Sequence, residues 1–291
     1  KSQIFQLIQA IKRGDKVVAA VAPAFVSQFG ENVTSSQMRE AMRQVGFHKV
    51  IEVAVGADMC TAEEAEDFLK KVPEQQPFMA TSCCPSWSVM AKKLFPQFKD
   101  YISMAMTPMV LTARLYKKDH PDVRIVFIGP CTAKKLEASR RTIRSDVDFV
   151  LTFEEMQGIF DAKGIVPSEM PYDPDDEFST GTSLGRGFAV TGGVADAVKK
   201  AIAEIDPERE VLVEHADGLR ECRKMLMMAK AGKYNGYLLE GMGCPGGCVA
   251  GAGTITPVKK STAAVTRYVN EAKVKSVQES AAVKRLREVQ D

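Results

Sequence analysis

The sequence predicts an α/β protein of two lobes, each a mainly parallel twisted sheet flanked by helices. Three observations predict it. Short runs rich in valine and isoleucine recur along the chain, longer stretches of helical periodicity separate them, and the runs are apolar throughout, as strands covered on both faces are. Residues 16–23, 49–55, 77–81 and 123–128 are the first four strands. Helical patterns over 35–45, 62–71, 86–94 and 108–118 lie around and between them. The second half repeats the rhythm less regularly, with strands at 149–152, 211–214 and 236–239 and helices at 153–162, 194–205, 218–231 and 260–274. The acidic, proline-bearing stretch 167–177 reads as a surface loop.

No internal repeat is visible, so the lobes are divided by rhythm alone. The chain reads as a single domain with lobe one over about residues 1–145, lobe two over about 146–258 and a helical C-terminal segment over about 259–291. At 291 residues it can bury a large core, and 45% hydrophobic with 26% charged residues is the composition of a soluble globular protein. A net charge of +2 argues against nucleic acid as the partner, and no apolar run reaches the ~20 residues a bilayer span needs, which argues against membrane insertion. The first residues, Lys1-Ser2-Gln3-Ile4-Phe5, lack the pattern of a secretory signal. A reducing cytoplasm is therefore expected, with thiols free or metal-bound. The absence of a starting methionine suggests a fragment or processed form, which leaves room for an upstream domain.

Five of the seven cysteines fall in three short segments, Thr81-Ser82-Cys83-Cys84-Pro85-Ser86-Trp87, Gly129-Pro130-Cys131-Thr132-Ala133-Lys134-Lys135 and Met242-Gly243-Cys244-Pro245-Gly246-Gly247-Cys248. Each follows an apolar run and carries proline or glycine, so its thiols emerge at strand ends. In the two-lobe reading the segments share the cleft between the lobes. Structural zinc sites usually show two close Cys or His pairs, whereas only Cys244/Cys248 has such spacing apart from the adjacent Cys83 and Cys84. His48, His120 and His215 all lie outside the segments. A cubane iron–sulfur cluster needs four thiolates and accepts ligands scattered along a chain, which leaves one of the five over. Neighbouring residues of an extended chain point oppositely, so Cys83 and Cys84 do not both bind one cluster. Pro85 and Thr132 stand at expected helix starts, where unpaired N–H groups favour an anionic site, and Lys134 lies about one helical turn beyond Cys131.

With these residues on view, the chain resembles the catalytic domain of [FeFe]-hydrogenases. The three cysteine segments look like that family's three signatures, and the likeness extends through Ala22-Pro23-Ala24, the stretch from Glu63 to Phe68, Phe188 and Thr191-Gly192-Gly193-Val194, covering most of residues 15–255. The resemblance implies that Cys84, Cys131, Cys244 and Cys248 hold a [4Fe-4S] cluster. Cys248 also bridges to a diiron subcluster carrying carbon monoxide, cyanide and an azadithiolate, which is absent without maturation. Cys83 matches the thiol that exchanges protons with the bridgehead amine. Lys134 matches a hydrogen-bond donor to cyanide, Met242 a thioether beside the diiron unit and Phe188 part of its apolar wall; Pro23, Ala24, Thr107 and Pro130 match further positions around the cofactor. The reaction implied is 2H⁺ + 2e⁻ ⇌ H₂. Ferredoxin or a similar electron carrier is the implied redox partner, and hydrogenase maturation factors would supply the diiron unit. No Cys-x-x-Cys-x-x-Cys ferredoxin segment occurs in the chain.

Glu64 and Ser103 match the family's proton relay, while Asp67 stands at the next carboxylate position in place of glutamate. The bland alternative makes Glu63, Glu64, Glu66 and Asp67 a solvated helix face with Glu66/Lys70 and Asp67/Lys71 pairs. Gly129 replaces the usual methionine before Pro-Cys, Ala24 a serine, and Thr107-Pro108-Met109 a Ser-Pro-Gln, which marks a divergent branch. Two alternatives therefore accompany the hydrogenase reading: a hydrogen-sensing or regulatory module of low turnover, and an iron–sulfur assembly or scaffold protein of the hydrogenase-like family. Cys60 and Cys222 read as small buried hydrophobes outside the site, Trp87 as core near the cluster, and Met225, Met227 and Met228 as a helix face.

Overall fold

The computed structural model describes residues 1–173 and 181–290, and it is an α/β structure of parallel sheets flanked by helices. The strands are β1 (Val17–Val21), β2 (Lys49–Glu52), β3 (Phe78–Ala80), β4 (Arg124–Gly129), β5 (Phe149–Thr152), β6 (Leu212–Asp217) and β7 (Tyr237–Met242). Around them run α1 (Ile4–Lys12), α2 (Ser35–Val45), α3 (Ala54–Lys71), α4 (Pro85–Leu94), α5 (Pro108–Asp119), α6 (Ala133–Ala138), α7 (Phe153–Lys163), α8 (Ser183–Gly187), α9 (Gly193–Ile205), α10 (Leu219–Lys230), α11 (Val258–Asn270) and α12 (Ala281–Gln290).

Local signals account for most boundaries. α2 and α7 each begin with a capping box, Thr34 with Gln37 and Thr152 with Glu155, and each ends on a left-handed glycine, Gly46 and Gly164. α4 and α5 open with proline in the first turn, where its missing N–H costs nothing. β1 is buried along its whole length, as a central parallel strand must be.

Every pairing within the two sheets is parallel. The first sheet has the order β2-β1-β4-β5 and the second β3-β7-β6. This corrects the expected cut near residues 140–150: β3 belongs to the second sheet, and β5, expected to open lobe two, pairs with β4 at Phe127↔Val150 in the first. Parallel pairing requires crossovers, and the chain crosses to the second sheet and back before either is complete. The strand expected over 49–55 ends at Glu52, and the helix expected from 62 begins at Ala54. The reason is helix contact. A Cβ on Gly56 would stand 2.2 Å from both Pro108 O and Thr112 Oγ1, so the first turns of α3 and α5 cross backbone to backbone there. Helix α1 was not expected, and the helical segment expected over about 259–291 is formed by two helices, α11 and α12. Of the stretch 167–177, Pro167–Glu169 forms a short 3₁₀ turn, exposed residues continue to Asp173, and 174–177 lie outside the described residues. Among the described residues no helix is long and apolar enough to cross a membrane.

Candidate metal centre

The three cysteine segments leave the C-terminal ends of β3, β4 and β7, the side of parallel sheets where binding sites form. Cys84 is the N-cap of α4, Cys131 precedes the Thr132 N-cap of α6, and Cys248 opens a 3₁₀ turn (Cys248–Ala250). The N–H groups at these starts face the thiols: Ala133 and Lys134 N–H groups reach Cys131, and Gly243 N donates to Cys84 Sγ at 3.3 Å. Glycine lets the segments close up. A Cβ on Gly251 would meet Pro130 O at 2.4 Å, and one on Gly247, where φ is +90°, would meet Thr191 N at 2.6 Å. Trp87 fixes the base of α4. Its ring is fully buried against Gly241, where a Cβ would sit 2.1 Å away, and its Nε1 donates to Thr81 O at 2.9 Å.

A cavity of about 70 Å³ lies among these segments. Cys83, Cys84, Cys131 and Cys248 line it together with Lys134, Met242, Phe188, Pro23, Ala24 and Pro130. Cys244 and Thr107 do not line it; Thr107 directly precedes the lining residue Pro108, and its hydroxyl is buried and unpartnered. Among the described residues no three His, Cys, Asp or Glu side chains approach closely enough to hold a single metal ion. Cys84, Cys131, Cys244 and Cys248 nevertheless form one electrostatic group. Burial raises the Cys131, Cys244 and Cys248 thiols above the usual range, and neighbouring cysteines of the same four push each further. Four thiols within mutual electrostatic reach suit an iron–sulfur cluster, and bound metal would reverse the cost of the thiolates. The donor set fits a cubane at these four cysteines, with the apolar cavity beside Cys248 left for a second group.

Cys83 is 8% exposed, and its thiol is pushed well up by burial, then by Cys60, Glu64 and Cys84. Lys134 is charged. Burial opposes this, but Glu137, whose Oε2 accepts from Lys134 Nζ at 2.6 Å, together with Cys131 and Cys83, carries its pKa above the ordinary value. Lys134 Nζ also donates to Cys83 O at 3.3 Å, tying the second signature to the first.

Behind Cys83 lies a carboxylate that no solvated-face reading accommodates. Glu64 is fully buried, and burial raises it to about 7 against the pull of the Ser103 hydroxyl and the Ser82 N–H, which donates to Oε1 at 3.3 Å. Ser103 is buried and accepts from Ala105 N at 3.1 Å. Asp67 is not gathered into this group; it pairs with Lys71 at 2.7 Å, and Glu66 with Lys70 at 3.9 Å, on the outer face of α3. Three residues of this environment were missed in the sequence. Glu137 is the buried counter-charge of Lys134. Glu240, fully buried on β7, accepts from Gly192 N at 2.8 Å and Ala195 N at 2.7 Å and adds its charge to both Glu64 and Cys83. Cys60 is buried as expected, yet it shares an apolar cluster with Cys83, Phe188 and Met242. Glu240 was detectable as a charge inside an otherwise apolar strand; Glu137 and Cys60 carried no signal beyond helical spacing from Lys134 and Glu64.

The model of the iron only hydrogenase large subunit, C-terminal domain, matches residues 15–252. The chain belongs to this family. It is 29% identical over 307 residues to iron hydrogenase 1 of Clostridium pasteurianum, covering 87% of this chain and 52% of that protein. It is also 27% identical over 288 residues to cytosolic iron-sulfur assembly component 3 of Rattus norvegicus, covering 81% and 60%. The chain thus spans about half the length of the clostridial relative. Among solved structures, an apo [FeFe]-hydrogenase from Chlamydomonas reinhardtii superposes with a TM-score of 0.80 at 23% identity over 99% of this chain and 94% of that one, a likeness of fold. Family membership makes this a hydrogenase-like domain, with relatives named for hydrogen chemistry and for iron–sulfur assembly alike.

Proposed function

We propose that this chain catalyses reversible hydrogen oxidation and proton reduction, as the catalytic unit of an [FeFe]-hydrogenase. One observation carries the reading: the spare thiol of the Cys83-Cys84 pair faces the same cavity as Cys84, Cys131, Cys248, Lys134 and Met242, with a buried carboxylate behind it. A scaffold that held only a cubane would have no use for that arrangement. Cys84, Cys131, Cys244 and Cys248 would hold a [4Fe-4S] cluster, and Cys248 with Lys134 and Met242 would hold the diiron subcluster in the cavity. When bound, that group supplies the redox chemistry and the site at which H₂ is made or cleaved.

The protein's part is positioning and proton delivery. Phe188, Met242, Ala24 and Pro23 line the cavity with apolar surface, which strengthens electrostatic interactions within it. Lys134, fixed by Glu137, presents a positive charge to anionic ligands. Cys83 gives or takes a proton at Sγ. Glu64, titrating near 7, is matched to accept it at neutral pH, with Ser103 next to it on the way outward. An electron carrier of the ferredoxin kind would dock on the more exposed Cys244 side, and maturation factors would load the diiron unit.

Infrared spectroscopy of the matured chain, combined with an H₂ assay using reduced dye, tests this. Carbon monoxide and cyanide bands with dye-driven H₂ evolution are expected, and Cys83→Ser should keep the bands while turnover falls by at least about a hundredfold, since a hydroxyl is a far poorer acid than a thiol. Iron for a cubane with no such bands would overturn the reading in favour of an assembly role. Bands with negligible turnover would favour a hydrogen sensor.

A further inference from the structure

We infer that Asp217 is the clamp of the third cysteine segment, a positioning residue that fixes the loop between Cys244 and Cys248 and sets a negative charge beside the cluster those thiols would hold. The inference rests only on the cubane part of the proposed function, which the hydrogenase and assembly readings share.

The need for a clamp comes from the loop itself. Strands β6 and β7 end side by side, with Asp217 opposite Met242, and the chain then leaves the sheet as Gly243-Cys244-Pro245-Gly246-Gly247-Cys248. Gly246 and Gly247 both take positive φ, +98° and +90°, so the middle of the loop is backbone that only glycine adopts freely. Two such residues in a row leave many conformations open. A contact from outside the loop must select the one that presents both thiols.

Asp217 supplies that contact. Its Oδ2 accepts from Gly246 N at 2.8 Å and from Thr191 Oγ1 at 3.0 Å, and Thr191 N donates in turn to Gly246 O at 3.3 Å. The three residues close a ring that engages both backbone groups of Gly246, midway between the two cysteines. An N–H given to a carboxylate is among the stronger hydrogen bonds. These bonds run across to the loop rather than into α10, which starts two residues after Asp217 with no side-chain cap on its N-terminus. The turn that carries Thr191 is itself held, because Glu240 on β7 accepts from Gly192 N and Ala195 N. The clamp is thus anchored on two neighbouring strands.

The same bonds have an electrostatic consequence. A cubane on four thiolates gains negative charge when it is reduced, and a carboxylate held against the loop between two of its ligands opposes that gain. Asp217 therefore lowers the potential of the cluster.

Three measurements test the clamp. In the metal-free chain, amide hydrogen exchange at Gly246 and Thr191 should rise at least about tenfold in Asp217→Ala and stay near wild type in Asp217→Asn, whose side-chain oxygen still accepts both bonds. Unchanged exchange in Asp217→Ala overturns the clamp whatever the chain binds. After anaerobic reconstitution with iron and sulfide, Asp217→Ala should release iron to a chelator at least about tenfold faster than wild type, with Asp217→Asn close to wild type. Equal release from Asp217→Ala and wild type overturns the link between the clamp and the ligands. The midpoint potential of the cluster should move positive in Asp217→Asn at unchanged iron content, since the bonds remain and the charge is gone; an unmoved potential overturns the electrostatic role. A wild type that takes up no cluster would count against the cubane reading alone, because amide exchange still decides the clamp.

Discussion

Glu64→Gln isolates the energetic cost of keeping this carboxyl inside the core. Glutamine is isosteric and still accepts the Ser82 N–H, but it never ionises. Burial raises Glu64 from the ordinary 4.5 to about 7, so the folded chain binds a proton that the unfolded chain has released between those values. Stability must therefore fall as pH rises from 4.5 through 7 and level off above. At about 1.4 kcal/mol per tenfold change in proton affinity, the full penalty is about 3 kcal/mol at pH 9, and it shrinks to about 1 kcal/mol or less at pH 5. Removing the Glu64 charge also relieves Glu240, which burial raises in the same direction and which is coupled to Glu64, so the gain is if anything enlarged. Glu52 and Asp58, raised by burial to about 7 and about 6, titrate in both proteins and cancel in the comparison. In metal-free protein, thermal melts across pH should show Glu64→Gln gaining about 5 °C or more on the wild type between pH 5 and pH 9. A constant difference across that range would refute the argument, since it would mean that Glu64 is ionised and solvated in the fold.

Two further outcomes follow from packing and charge. Gly241→Ala should destabilise by about 1–3 kcal/mol, seen as a lower urea midpoint, because the new Cβ would stand 2.1 Å from the immobile Trp87 ring; an unchanged midpoint would show that the ring yields. Lys134→Met leaves Glu137, 3% exposed, without its cation and should cost about 3–5 kcal/mol, most of it recovered in Lys134→Met/Glu137→Leu; equal melting of the single and double variants would contradict a buried pair.

Much of the cluster site was legible because ligand chemistry is written in residue type and local order. The cysteine segments had to emerge at strand ends, since each follows an apolar run, and Pro85 marked the start of α4 from the sequence alone. The proposed relay was less legible. Glu64 and Asp67 look alike in sequence, three residues apart on one helix, but Glu64 turns into the core and Asp67 out to Lys71, a difference set by what packs against α3. Cys60 reads as a small hydrophobe until Cys83, distant in sequence, is packed into the same cluster.

The sequence by itself determined the α/β class, the family and the thiols that can bind metal, because periodicity, caps and cysteine spacing act over a few residues. Only the tertiary structure decided which sheet received β3 and β5, which carboxylates became buried acids, and which cations remained paired. Those outcomes depend on contacts between segments far apart in the chain, where desolvation, rather than residue type, sets the state of each charge.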